Sequence, residues 1–269
     1  MISFNFDYYK ATQLDEAHTM LFSLIENNQN PVYYSGGTEL LTSFRKGTIK
    51  ADAVIDLKNI EGITAIECIE NEVTIGACVS LNNVVEVLDE MYWHDVLVNI
   101  ADHTVRNAIT LGGNLCGRLP YKEAILPLLA LDSTAVIYNS EGLKEVALRD
   151  LYEKRLRLDK GDILYQLKFN KDHLDTYASE RVTESTKTDY PLLHIFASIY
   201  NQNLFVGLSG FGNYPLYQNF DLQTATVSEI HGYFSPYAKD DSRSSKAYRS
   251  HMLMATLQTI KEELEGFDD

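Results

Sequence analysis

The residue pattern predicts a chain of mixed helix and strand in two parts, and two observations carry that reading. Up to about Leu131, segments with apolar residues at helical spacing alternate with short runs of β-formers. After "DILYQLKFN" the pattern changes to antiparallel strands followed by one long helix. A boundary is expected between Leu151 and Asp175, drawn as 1–165 and 166–269, with a subdivision of the first part near residue 55.

Each element follows from its own pattern. "ATQLDEAHTMLFSLIENNQ" places Ala17, Met20, Leu21, Leu24 and Ile25 on one helical face. "PVYYS" reads as a short strand and "GGTELLTSFRKG" as a turn into a helix. "ADAVIDLKNI" reads as a strand, and "AIECIENEVTIGACVS" as two strands joined at Glu70-Asn71. Helices are expected from about Leu81 to Met91, Asp95 to His103 and Lys122 to Leu131, followed by the strand "TAVIYNS". "PLLHIFASIY" and "NLFVGLSGFGNYPLYQ" read as antiparallel strands joined by "NQN", a hairpin turn. "SSKAYRSHMLMATLQTIKEELEGF" reads as a long amphipathic helix.

Composition excludes several classes of function. A net charge of -15 over 269 residues argues against duplex binding, which needs a basic footprint. No apolar run approaches membrane-spanning length, and the start has no positive region before an apolar core, so neither membrane nor leader is expected. Cys68, Cys78 and Cys116 are scattered, without a C-x-x-C pair. That usage points to a reducing cytoplasm and not to a four-cysteine iron–sulfur site. His94, His103, His173, His194, His231 and His251 show no metal-ligand spacing. Neither a catalytic grouping nor a metal site is expected.

Two glycine pairs carry the functional signal. "YYSGGTELL" and "TVRNAITLGGNLCG" each place Gly-Gly after an extended stretch, beside Thr. One reading is a tight turn, since Gly and Asn tolerate positive φ. The other is a bipartite cradle for one pyrophosphate, in which bare backbone N–H groups and the Ser35 and Thr38 hydroxyls donate to an anion. Neither pair has G-x-G-x-x-G spacing or a P-loop lysine, which disfavours the Rossmann fingerprint and triphosphate hydrolysis.

"YYSGGTELL", "VTIGACVSLNNV", "VRNAITLGGNL", "LPLLALDS", "KGDIL" and the tail "DSRSSKAYRSHML" resemble, in order, motifs of the FAD-binding subunit family of molybdenum hydroxylases. Xanthine dehydrogenase and carbon monoxide dehydrogenase flavoproteins belong to that family. The resemblance covers nearly the whole chain. It implies an α+β fold: a two-subdomain FAD-binding region of the vanillyl-alcohol-oxidase (PCMH) type and a C-terminal domain of antiparallel sheet and helices. Carried over by position, Tyr33, Tyr34, Ser35, Gly36, Gly37, Thr38, Glu39 and Leu40 would form the first phosphate loop. Thr110, Gly112, Gly113, Asn114 and Leu115 would form the second. Glu123 takes the place of an Asp that holds the cofactor's polar chain, while Ile100 and Leu164 line up with apolar contacts to FAD. Considered alone, Ile100 and Leu164 read as plain core residues.

The resemblance further implies a cytoplasmic electron-transfer subunit. Electrons would come from a molybdenum-cofactor large subunit through a [2Fe-2S] small subunit to FAD, and pass to NAD+ or another acceptor. Arg181 and Lys187 are candidates for the basic residue near the flavin. "CGRLPYKEA" is bulkier than the family pattern, and Arg118 within it is either a phosphate partner or a solvated loop cation. Two other readings stay open: a stand-alone flavin oxidoreductase, and a scaffold subunit that has lost FAD.

Overall fold

The computed structural model describes residues 1–88, 93–174, 176–186 and 188–264. The expected helix end at Met91, the boundary residue Asp175, the candidate Lys187 and the last residues of the terminal helix lie outside these. Two compact units emerge: Met1–Val87, His103–Gly117 and Ser133–Phe169 form the first, and Leu88–Asp102, Arg118–Asp132 and Asn170–Asp269 the second. In this grouping the stretches 88–102 and 118–132 go with the second unit, so the units are not separated by a single cut.

The first unit begins with β1 (Asp7–Lys10), α1 (Leu14–Glu26), β2 (Pro31–Tyr34), α2 (Thr38–Lys46) and β3 (Ala53–Asp56). These strands form a parallel sheet of order β1-β3-β2. Its central strand β3 is buried at every position, as expected of a parallel strand covered on both faces. α1 buries Ala17, Leu21 and Leu24, the stripe its sequence spacing predicts. The crossover through α2 delivers the first glycine turn directly after β2.

The chain continues through β4 (Ile66–Ile69), β5 (Glu72–Gly76), α3 (Leu81–Val87), α4 (Trp93–Leu97), α5 (His103–Arg106), α6 (Leu111–Cys116), α7 (Ile125–Ala130), β6 (Thr134–Asn139), β7 (Gly142–Ala147), α8 (Leu148–Leu151) and β8 (Ile163–Asn170). A five-stranded sheet of order β4-β5-β8-β6-β7 results. The expected helix from Asp95 to His103 is broken into α4 and α5, with Ala101 at a φ of 56° between them. A left-handed residue cannot continue a right-handed helix.

β9 (Thr176–Thr183), β10 (Pro191–Tyr200), β11 (Asn203–Ser209), β12 (Leu216–Asp221), α9 (Val227–Phe234) and α10 (Lys246–Leu264) complete the second unit. Its four strands run antiparallel in the order β12-β11-β10-β9. The hairpin at "NQN" is present: Asn201 and Gln202 have φ of 48° and 62°, matching a type I′ turn. The run expected as one strand, "NLFVGLSGFGNYPLYQ", is two, interrupted after Ser209. Alternate residues Leu193, Ile195 and Ala197 of β10 join Leu204, Val206 and Leu208 of β11 in one core with Leu253, Leu257 and Ile260 of α10. The inserted helix α7 is buried at all six positions and packs against β10 and β11. A helix apolar on every side needs walls on every side, and this explains why 118–132 leave the first unit.

The signature "AYRSHML" has a structural cause. Arg249 of α10 is fully buried, and its guanidinium donates to the carbonyls of Leu192 (2.5 Å) and Gly210 (3.0 Å) and to Asp241 (2.9 Å). Asp241 also accepts from the backbone N–H groups of Arg243 and Ser244. Burial raises its pKa, but the Arg249 hydrogen bond and the Arg243 amide outweigh that and lower it to about 2. One side chain thus ties the helix to two strand ends and a loop. Arg249→Met is expected to destabilise the protein by about 3 kcal/mol, because it strips the Leu192 and Gly210 carbonyls and the partly exposed Asp241 carboxylate of their donor. In urea unfolding the midpoint should fall while the slope stays unchanged.

Candidate functional site

The two glycine turns, separated by 75 residues in sequence, meet within the first unit. Thr110 enters α6 from an isolated bridge to Ser80. The Gly36 backbone is pressed against the Ala108 carbonyl so closely that an added Cβ would collide with its oxygen, and would lie 3.2 Å from the Thr110 nitrogen. Gly37 has φ of 73° and caps α2. Only glycine adopts that conformation without strain, and the Tyr34 ring occupies the place of its missing side chain. Both readings of the first turn are therefore partly met: the glycines are required by packing and backbone shape, and they also leave the end of α2 bare.

A directed chain of hydrogen bonds locks the turns together. The Gly113 N–H donates to Thr110 Oγ1 at 3.2 Å, and Thr110 and Ser35 share a hydroxyl contact of 2.8 Å. The Ser35 hydroxyl donates to Cys78 Sγ at 3.0 Å. Since a hydroxyl has one proton, Thr110 must be the donor to Ser35. Burial pushes the Cys78 thiol up to about 11, so it remains protonated around neutral pH.

This arrangement corrects two expectations. The Ser35 hydroxyl faces inward to Cys78 and is not an outward phosphate donor. In the second turn, the Gly112 N–H donates to the Ala77 carbonyl (2.8 Å) and that of Leu111 to Val79 (2.9 Å), so these amides serve the fold. The candidate donors are then the Gly36 N–H and the N-terminus of α2. Its N-cap Gly37 supplies no side-chain acceptor. The N-terminus of that nine-residue helix has no side-chain cap, and its dipole suits an anion.

Asn114 adds the complementary function. Its Oδ1 is buried without a hydrogen-bond partner, which suits a hydroxyl donor. Gly113 is exposed, and an added Cβ there would meet only the Thr110 side chain, its Oγ1 at 2.6 Å. Anion donors and an orphaned acceptor thus lie on two joined turns, and they fit a ligand with both phosphates and hydroxyls, as FAD has.

The other expected residues have different surroundings. The Tyr33 hydroxyl donates to the Gly161 carbonyl at 3.1 Å, and burial pushes its pKa up. Tyr34 and Leu40 pack on the Phe44, Ala51 and Val54 cluster. Glu39 lies against Gly117. Leu115 and Leu164 are buried; Leu164 lies in β8, next to Tyr165, whose carbonyl accepts from the Ala77 N–H at 2.8 Å. Ile100 is buried in the second unit. Arg118 is exposed.

Glu123 differs most from expectation. Its carboxylate, 2% exposed, lies in the second unit and accepts from Arg181 Nε at 2.7 Å and from His194 Nδ1 at 2.5 Å. His194 Nε2 contacts Ser179 at 2.9 Å, and a further Arg181 nitrogen donates to the Asp189 carbonyl. Both Glu123 oxygens already have partners, since Oε1 lies 3.2 Å from Arg181. The side chain one methylene longer than Asp therefore reaches a buried charge network, and Arg181 is committed to it as well. No cofactor contact is assigned to Glu123.

The residue that sequence reasoning missed is Lys58. Its Nζ lies 2.7 Å and 2.8 Å from the two Asp56 oxygens, 2.9 Å from the Ser35 carbonyl and 4.4 Å from the Tyr34 ring centre. Its position two residues after Asp56 in "VIDLKNI" was the available signal.

Joined glycine turns with a helix N-terminus and an unpaired amide oxygen suit a ligand that carries phosphates and hydroxyls. Residues 4–169 match the family described as the FAD binding domain in molybdopterin dehydrogenase; the chain belongs to that family, and FAD is its cofactor. It is similar to the nicotinate dehydrogenase FAD-subunit of Eubacterium barkeri, 24% identical over 55% of this chain and 51% of the relative. It is also similar to the xanthine dehydrogenase FAD-binding subunit of Escherichia coli O157:H7, 23% identical over 60% of this chain and 56% of the relative. The chain spans about half the length of the curated relatives it matches. Its fold is that of a chain of the reconstituted CO dehydrogenase from Oligotropha carboxidovorans, with a TM-score of 0.83 at 20% identity over 98% of both chains.

The Glu123 network predicts a pH dependence. Burial raises the pKa of Glu123, but the His194 and Arg181 contacts outweigh it and hold the carboxyl below its ordinary 4.5. A depressed folded-state pKa adds stability that is present above 4.5 and lost as the pH falls through the folded value. Glu123→Gln should lower the melting temperature at pH 7 and flatten its dependence on acid pH, read by scanning calorimetry. FAD affinity should change little.

Proposed function

We propose that this chain is the FAD-binding electron-transfer subunit of a xanthine-dehydrogenase-like molybdenum hydroxylase in the cytoplasm. The observation that carries the reading is the uncapped N-terminus of α2 facing a second turn with an orphaned acceptor. When bound, FAD supplies the redox chemistry, taking up electrons and releasing them to an acceptor. The Gly36 amide and those at the start of α2 would hold the pyrophosphate, and Asn114 Oδ1 would accept from a cofactor hydroxyl. Gly113 would leave room for close approach. The apolar side chains Leu115 and Leu164 would back the site from within the core.

The electron donors are proposed to lie outside this chain, on a molybdenum-cofactor large subunit and a [2Fe-2S] small subunit. Three cysteines are fewer than the four thiolates of an ordinary [2Fe-2S] site, and Cys78 is a buried, protonated thiol hydrogen-bonded to Ser35. The free state of all three cysteines accords with a reducing compartment. A purine-like or aldehyde substrate and NAD+ as acceptor complete the proposal; the names of the nicotinate and xanthine relatives support a heteroaromatic substrate class.

Two experiments test this. Gly113→Val should release most of the flavin while far-UV circular dichroism stays unchanged; because its Cβ would also press on Thr110 Oγ1, the melting temperature of the FAD-free variant is measured beside the flavin content. Gly37→Val is less discriminating, because its positive φ and the Tyr34 ring make that substitution a strain on the fold itself. Full flavin content in Gly113→Val would remove the second turn from the site. The purified chain should also show no xanthine- or aldehyde-dependent dye reduction, yet its flavin should bleach with dithionite. Co-expression with the partner subunits should restore substrate turnover, and brisk turnover by the metal-free chain alone would overturn the subunit reading.

A further inference from the structure

Gly36 and Gly37 give the first turn its bare backbone, but two consecutive glycines also make its peptide planes easy to rotate. A cradle built from amides needs those planes fixed. Around the turn, the Ser35 hydroxyl is bonded to Cys78 and Thr110, which orients the side chain and leaves the Ser35–Gly36 peptide plane to another group. That group is Lys58, whose Nζ donates to the Ser35 carbonyl at 2.9 Å. In a trans peptide the carbonyl and the following N–H point in opposite directions. The described residues contain no cis bond. Holding the Ser35 carbonyl toward Lys58 therefore turns the Gly36 N–H to the opposite side.

Lys58 is itself held in place. Asp56, at the end of β3 and 5% exposed, takes two of its contacts and also accepts from the Tyr8 hydroxyl and the Lys58 backbone N–H (3.0 Å). Burial raises the Asp56 pKa, but the hydrogen bonds from Lys58 and Tyr8 outweigh it and keep the carboxyl low. The ring of Tyr34 lies under the ammonium at 4.4 Å.

We propose that Lys58 is the positioning residue of the cofactor's phosphate loop: anchored on Asp56, it fixes the Ser35–Gly36 peptide so that the Gly36 amide faces the pyrophosphate. This rests on the FAD-site reading above and adds to it a residue that neither glycine turn contains. Because Asp56 neutralises its charge, Lys58 acts through the peptide plane and not as a free cation beside the phosphate.

The test compares FAD dissociation constants, from quenching of flavin fluorescence, for wild type, Lys58→Met, Lys58→Arg and Tyr8→Phe, together with melting temperatures of the FAD-free proteins. Lys58→Met should weaken FAD binding roughly tenfold. Lys58→Arg, which keeps two-sided donation, should stay within about threefold of wild type. Tyr8→Phe removes a different Asp56 partner and should lower the melting temperature without changing FAD affinity. The proposal is overturned if Lys58→Met binds FAD as wild type does, or if Tyr8→Phe weakens binding equally. Should Lys58→Met not fold, amide spectra of 15N-labelled wild type decide: FAD must shift the Gly36 resonance, and an unmoved Gly36 rules the proposal out. Wild-type protein that binds no FAD at all would instead sink the cofactor-site reading.

Discussion

The contact of Gly36 with the Ala108 carbonyl is the constraint on which the site depends. It brings together two turns that the chain reaches 75 residues apart, and no side chain fits between them. Once the backbones are that close, Ser35 and Thr110 fall within hydrogen-bond reach, and the chain from Gly113 to Cys78 closes inside the joint. The Ser35 hydroxyl, which looks like a phosphate donor in the sequence, is thereby turned inward as a fastener. What the fasteners do not consume is the Gly36 amide, the N-terminus of α2, the exposed backbone of Gly113 and the Asn114 carboxamide oxygen.

The second unit is held by a different device. Two buried cations, Arg249 and Arg181, each bind one carboxylate and at least one main-chain carbonyl. A buried ion pair often adds little net stability, because desolvation opposes the attraction. Its value lies in geometry: Arg249 can satisfy Leu192, Gly210 and Asp241 together in only one placement of α10 on the sheet. Glu123 does the same for the segment leading into α7, which is why a residue that resembles a cofactor ligand by position is occupied in fastening a helix.

Much of this was legible in the sequence. Apolar spacing marked α1, and runs of β-formers marked β2, β3, β6 and β10, because those segments face a core on one or both sides. The elements that escaped notice have weak periodicity. β7 is largely exposed, so "GLKEVA" carries charges where a buried strand would carry apolar residues. β9 lies at the sheet edge with half-buried polar positions, and α9 is only eight residues long. Of the site, the glycines and Asn114 were visible because their types are unusual at such a spacing. Partner choice was not: nothing in the linear order of Ser35, Cys78 and Thr110 says that they meet. Nor does "YKEA" reveal that Glu123 finds Arg181 and His194 on strands yet to come.

A last point concerns charge. A chain of net charge -15 that is to hold a pyrophosphate cannot rely on its long-range field, which repels anions. Water and salt screen that field over roughly 8–10 Å. Dipoles at contact distance escape the penalty, because backbone amides and a helix end offer positive potential without net charge. The same logic accounts for the neutralised pair of Asp56 and Lys58. A bare ammonium beside the cradle would bind phosphate strongly wherever the chain placed it, whereas an ammonium matched by a carboxylate can only set the direction of a peptide. Discrimination among anions then falls to shape and hydrogen-bond direction, and a rigid amide cradle favours the one ligand whose phosphates and hydroxyls both find their partners.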